Sequence, residues 1–188
     1  MERKGKIAWA ITGAGHLLEE SIEAISNLLE FIDIDVFLSR AAEEVIKQYQ
    51  FDHTFAELKE NYSDHLKIIR ESQQNPSFPA STKLGLGKYQ AFVISPMTGN
   101  TVAKCIHCIA DTLITNCFMQ ALKSRLPIYC IPTDFKEGEI LTKVPSGEKI
   151  PFTIDRYSAE NSRKLGTMVG VQIYEKPEIL ELKKIFNI

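Results

Sequence analysis

The sequence predicts a three-layer α/β fold, a parallel β-sheet with helices on both faces. Two observations predict it. Short unbroken apolar runs recur along the chain, closed by Gly, Ser or Pro, as expected of strands buried on both faces. Between them lie segments whose apolar residues repeat at helical spacing, as expected of helices with one buried face. The two kinds of segment alternate from the first residues, and parallel strands require such crossovers.

Each element follows from its own residues. Lys6-Ile7-Ala8-Trp9-Ala10-Ile11-Thr12 is an apolar run closed by glycines and reads as the first buried strand. From His16 to Phe31, Leu17, Leu18, Ile22, Ile25, Leu28 and Leu29 recur at helical spacing. Ile34–Leu38 is the second strand and Ala41–Gln48 a helix, with Ser39 placed to cap it. Residues 52–74 are polar and mostly helical in character. Ala91–Ile94 is the third strand, and a helix starts after it, because Thr98 and Asn100 can cap a run carrying Val102, Ile106 and Ile109. Asp111–Lys123 is helical and Pro127–Pro132 a strand. Beyond Thr133, Lys149–Ile154 reads as a strand, Ala159–Met168 as a helix, Val171–Tyr174 as a short strand and Pro177–Phe186 as a closing helix.

Composition narrows the function. The chain has 188 residues, 22 Lys+Arg against 24 Asp+Glu, and 44% hydrophobic residues. That is one domain with an adequate core. A net charge of −2 lacks the cationic surplus that general nucleic-acid binding needs. No apolar run reaches the length of a membrane span, and the five apolar residues after the basic N-terminus are too few for a signal peptide. A cytoplasmic domain is expected. Four cysteines are too few for a disulfide scaffold.

The chemistry gathers at strand ends. Thr12-Gly13-Ala14-Gly15-His16 joins a strand directly to a helix, where backbone N–H groups and the helix dipole favour a phosphate. A dinucleotide fingerprint fails on two counts: Leu18 stands in the place of its third glycine, and Ser39-Arg40 in the place of the ribose-binding acid. An NADP site using Arg40 and a turn with no ligand stay open as alternatives. Ser39 ends the second strand, and Ser95-Pro96-Met97-Thr98-Gly99-Asn100-Thr101 follows the third. In parallel α/β sheets ligands bind beyond the carboxyl ends of strands. Three such ends bearing hydroxyls and glycines, and no carboxylate, suit a neutral polar body with a phosphate tail.

The segments Thr12–Gly15, Leu38-Ser39-Arg40-Ala41-Ala42, Pro79-Ala80-Ser81, Ser95–Thr101 and Ile109–Asn116 together resemble the homo-oligomeric flavin-containing Cys decarboxylase superfamily. Trp9–Leu18, Pro79–Tyr89, Pro145-Ser146-Gly147 and Ile154–Asn161 are most similar to its archaeal flavoprotein branch, which includes dihydromethanopterin reductase. The resemblance implies a Rossmann-like, flavodoxin-like fold, with an FMN-binding core over residues 1–134 and an extension over 135–188 packed on it. It implies FMN lined at its phosphate and ribityl chain by Gly13, Ala14 and Gly15, with a hydroxyl from Ser39. Ser81 would lie near the ring. Ser95, Thr98, Asn100 and Thr101 would meet FMN from the third strand end, and His16 from the start of the first helix. Asn116 would reach the flavin of a neighbouring subunit, in a trimer or a multiple of trimers.

Two departures separate the branches. The decarboxylases carry a catalytic His shortly before the third strand, where this chain has Thr82-Lys83, and their late Pro-x-Met-Asn segment is absent from 135–152. The expectation is therefore an FMN-dependent oxidoreductase, with ferredoxin or NAD(P)H as donor and a pterin as the leading acceptor. A decarboxylase or prenyltransferase, or a pure electron carrier, is the alternative. No side-chain catalytic residue is assigned and no metal is expected, since FMN itself carries the electrons. Cys105 and Cys108 form a Cys-x-x-Cys, read with Cys117 and Cys130 as buried structural thiols, with an iron–sulfur centre shared between subunits as the alternative for the pair. His53 and His65 read as solvated, Trp9 and Phe92 as core, and Glu57–Glu71 as a solvated helix face, with a lid or subunit contact as the alternative.

Overall fold

The computed structural model describes residues 3–74 and 79–188, so the first two residues of the basic N-terminus lie outside it. Its strands are β1 (Lys6–Ile11), β2 (Asp33–Leu38), β3 (Leu66–Arg70), β4 (Phe92–Met97), β5 (Ile128–Pro132), β6 (Gly138–Lys143), β7 (Lys149–Ile154) and β8 (Val171–Ile173). The helices are α1 (Leu18–Leu28), α2 (Arg40–Gln48), α3 (Asp52–Asn61), α4 (Gly99–Ile106), α5 (Leu113–Ser124), α6 (Arg156–Leu165) and α7 (Ile179–Phe186). Six strands form one sheet in the order β3-β2-β1-β4-β5-β8, every pairing parallel. The three-layer, Rossmann-like α/β fold is therefore the observed one.

Strand alternation sends the two faces of β1 into two cores. Ile7, Trp9 and Ile11 pack with α1, α2, α3 and α7; Ala8 and Ala10 pack with α4, α5 and Leu165 of α6. Trp9 and Phe92 are wholly buried, and the Trp9 indole N–H donates to the Ser95 carbonyl at 2.9 Å, so its one polar atom is satisfied.

Three segments differ from the sequence reading. Residues 52–74 hold α3 and then β3, an edge strand pairing with β2. Glu57–Glu71 is thus the end of a helix followed by a strand, with His65 in the turn between them bonded through Nδ1 to Asp33 at 3.0 Å. Lys149–Ile154 is a strand outside the parallel sheet: it pairs antiparallel with β6, which the sequence reading left out. Ser95-Pro96-Met97, read as a strand-end loop, continues β4. Among the described residues no helix is long and apolar enough to cross a membrane.

Candidate functional site

The strand order reverses at β1. From it the chain goes outward through β2 and β3 on one side and through β4, β5 and β8 on the other. At such a switch point the loops leaving adjacent strands diverge and open a crevice beyond their carboxyl ends. Thr12 holds the two sides of that crevice together. Its buried hydroxyl donates to the Pro96 carbonyl at 2.8 Å and accepts the Thr98 N–H at 2.8 Å, while its own N–H donates to Pro96 at 3.1 Å.

The crevice is an open cavity of about 610 Å³, lined by Thr12, Gly13, Ser39, Arg40, Ala41, Glu71, Thr98, Asn100, Thr101, Lys104, Asp111, Thr112 and Ile114. Three helices, α2, α4 and α5, begin at its wall. Each is capped from within the site. Ser39 Oγ accepts the Ala42 N–H at 3.0 Å, Thr98 Oγ1 the Thr101 N–H at 3.3 Å, and Thr112 and Thr115 cap α5 reciprocally. Each N-terminus presents outward-facing N–H groups and about half a positive charge. Lys104 Nζ lies 2.7 Å from Asp111 Oδ2, and that bond holds the Asp111 carboxyl below its ordinary range.

The glycines of the β1–α1 loop serve by their size. Neither Gly13 nor Gly15 has a positive φ; the left-handed residue is Leu17, at φ 62°. A Cβ on Gly13 would overlap that of Ala41, and a Cβ on Gly15 would overlap the Tyr49 hydroxyl. The Ala14 N–H is already bonded to the Thr12 carbonyl at 2.8 Å. Among the described residues the Gly13, Gly15 and His16 N–H groups have no partner in the chain. The first turn of α1 carries Glu19 and Glu20, and its N-cap residue, Leu17, makes no side-chain capping bond.

Of the expected site residues, Gly13, Ser39, Thr98, Asn100 and Thr101 meet in this cavity. Ala14, Gly15 and His16 border a second one of about 250 Å³, closed by the β6–β7 hairpin, Tyr49, Thr133 and Asp134. There burial lowers the His16 pKa, aided by Lys176 and opposed by Glu20 and Asp134; burial likewise raises that of Asp134.

Three expected residues fall elsewhere. Ser95 is fully buried, its Oγ 2.7 Å from that of Ser21, so it braces α1 against β4 and does not line the cavity. Ser81 is buried in the 3₁₀ turn Ala80–Gly85, outside the cavity wall. Asn116 spends its amide N–H groups on the Ala110 and Thr112 carbonyls, at 3.0 and 2.8 Å. Cys108 is exposed in the turn after α4, unlike the other three cysteines, because its φ of 56° ends the helix. Among the described residues no three His, Cys, Asp or Glu side chains gather as a metal site.

Sequence reasoning missed Glu71, Lys104, Asp111 and Thr112. The Thr112–Thr115 pair was a legible capping signal; Glu71 had none, because its partners are 31 and 42 residues away.

The Flavoprotein family pattern matches residues 1–180. This chain belongs to that family. It is 38% identical over 178 residues to an uncharacterised protein of Methanocaldococcus jannaschii, covering 94% of this chain and 92% of the other. A dihydromethanopterin reductase (acceptor) of the same organism is 43% identical over 144 residues, 74% of this chain and 58% of that protein. The chain thus spans less than two thirds of that reductase. Among solved structures, Burkholderia xenovorans DmrB in complex with FMN, described as a cubic protein cage for redox transfer, superposes with a TM-score of 0.72 at 30% identity. The match covers all of this chain and 96% of DmrB.

Proposed function

We propose that this protein is an FMN-binding oxidoreductase of the dihydromethanopterin reductase type, and that the switch-point cavity is its flavin site. The observation that carries the reading is the donor set: the Ser39, Thr98 and Thr101 hydroxyls and the Gly13 N–H beside three helix N-termini, with Lys104 already paired. Such a wall suits a ligand with one anionic end and a neutral polar body, and the volume suits a mononucleotide. FMN, when bound, supplies the electron-pair or hydride chemistry.

The chain's part is to bind, orient and shield. The Gly13 N–H and the start of α4 at Gly99-Asn100 offer the phosphate main-chain donors. Ser39, Thr98 and Thr101 offer hydroxyls to the ribityl chain. Gly13 lets α2 approach β1, which keeps the wall narrow. Residues 1–134 supply this cradle and 135–188 extend it, so that Ala14, Gly15 and His16 face the hairpin and not the flavin phosphate. Ser81 belongs to the ring end in this reading. The physiological setting is the cytoplasm, with ferredoxin or NAD(P)H as donor, a pterin as acceptor, and a homotrimer or a multiple of it as the working form. Asn116 has its amide carbonyl left to offer a neighbouring copy.

Purification in dim light, followed by mass analysis of the released chromophore, tests the root of this reading. One FMN per chain is expected; riboflavin, FAD or no flavin sinks it. Anaerobic titration with NAD(P)H or reduced ferredoxin, then with dihydromethanopterin, separates a reductase from a carrier. Carbon dioxide released from a cysteinyl peptide would turn the assignment to a decarboxylase.

A further inference from the structure

Glu71 is a carboxylate inside the cavity wall. It opens the 3₁₀ turn Glu71–Gln73 after β3 and reaches two helices at once. Its Oε2 accepts the Arg40 N–H at 2.9 Å, and its Oε1 accepts the Leu113 N–H at 2.5 Å. Arg40 and Leu113 are the first residues of α2 and α5. Among the described residues no Lys, Arg or His lies within ion-pair distance of it, whereas Asp111 in the same wall is paired with Lys104.

The electrostatic consequence follows from the dipoles. Two helix N-termini present about one unit of positive charge between them. Left free, they would favour any extra electron density on a ligand in the cavity. One carboxylate cancels them and takes up two N–H donors. An anionic phosphate is then directed to the Gly13 loop and α4, and the two helix N-termini that Glu71 bridges no longer add to the positive charge of the wall.

We propose that Glu71 is a positioning residue that braces α2 against α5 and, by its charge, makes bound FMN a stronger reductant. The inference rests on the reading that FMN occupies this cavity. Two-electron reduction with uptake of one proton turns the neutral flavin ring into an anion. A fixed carboxylate charge in the wall weakens binding of that anion more than binding of oxidised flavin. The ratio of the two affinities is the shift in midpoint potential, tenfold being about 30 mV for a two-electron couple.

The test is an anaerobic dithionite titration of the FMN-loaded protein against a reference dye, with oxidised-FMN affinity measured alongside. Glu71→Gln keeps the shape and removes the charge. It is expected to favour reduced over oxidised FMN by about tenfold relative to wild type, an upward shift of about 30 mV. Glu71→Asp keeps the charge and is expected to hold the wild-type potential even where its shorter arm loosens the brace. Should the amide fold poorly, Glu71→Ala, whose two freed N–H groups face an open cavity, serves the same measurement. An unchanged potential in both neutral variants overturns the proposal, as does an Asp variant that shifts as far as the Gln variant. A wild-type chain that takes up no FMN overturns the cofactor reading first and this inference with it. FMN bound with a potential indifferent to residue 71 overturns this inference alone.

Discussion

Two of the cavities that border the Thr12–His16 loop are built by different means. The larger is walled by strand ends and by the capped N-termini of α2, α4 and α5. The smaller is closed by the β6–β7 hairpin. Among the described residues the side-chain hydrogen bonds that tie the hairpin to the body are Tyr49 Oη to the Lys143 carbonyl, 2.9 Å, and Lys143 Nζ to Glu19, 3.0 Å. Both are exposed. The first cavity thus inherits the rigidity of the sheet, while the second depends on contacts that contribute little against solvent.

The sharpest way to break this contrast is Gly13→Val. Its side chain would collide with Ala41 where α2 approaches β1. Overpacking costs about 1–3 kcal/mol, and the narrowed wall is expected to lower FMN affinity at least tenfold by roughly the same free energy. Full flavin retention in this variant would show that the cavity is not the flavin site. Thr12→Val comes next. It keeps the shape but leaves the Thr98 N–H without its acceptor and removes a donor to Pro96, a loss of about 1–3 kcal/mol in denaturant unfolding. An unchanged midpoint would mean that the two sides of the crevice do not rely on this link.

At the hairpin the effects should be smaller and local. Tyr49→Phe removes one exposed bond, about 0.5–1.5 kcal/mol at most. Faster amide hydrogen exchange should appear in β6 and β7, with FMN affinity unchanged; faster exchange throughout the sheet would contradict a separately hinged hairpin. The smallest expected effect is on pH dependence. His16 has a folded-state pKa below its ordinary value near 6.5, so the unfolded chain binds more protons in that window. Its contribution to stability is present above the ordinary value and is lost as pH falls below it. Asp134, raised from its ordinary value near 3.8, acts oppositely: its contribution is present at low pH and is lost as pH rises through the folded-state pKa. His16→Gln should flatten the loss of stability on acidification just below pH 6.5. An unaltered slope would place that dependence on other groups.

How much was legible depended on where each signal resides. β1, β2, β4 and β5 are buried on both faces, so their apolar runs announce them. β3 escaped because an edge strand shows one flank to solvent, and Leu66-Lys67-Ile68-Ile69-Arg70 mixes charge with apolar residues. β6 escaped because Gly138–Lys143 is mostly exposed. Ser39, Thr98 and Gly13 could be named because caps and tight approaches leave local marks. Ser95 was misplaced because strand β4 continues through it, turning its hydroxyl to Ser21.

The order of elements, the family likeness and the convergence of small polar residues at three strand ends were determined by the chain itself, through local periodicity and capping chemistry. Which side of the β1–α1 loop each residue faces was decided only by the tertiary structure. So was the place of Glu71 between two helix N-termini. Those facts depend on main-chain donors brought together from distant segments, and a main-chain N–H carries no sequence signature of its own.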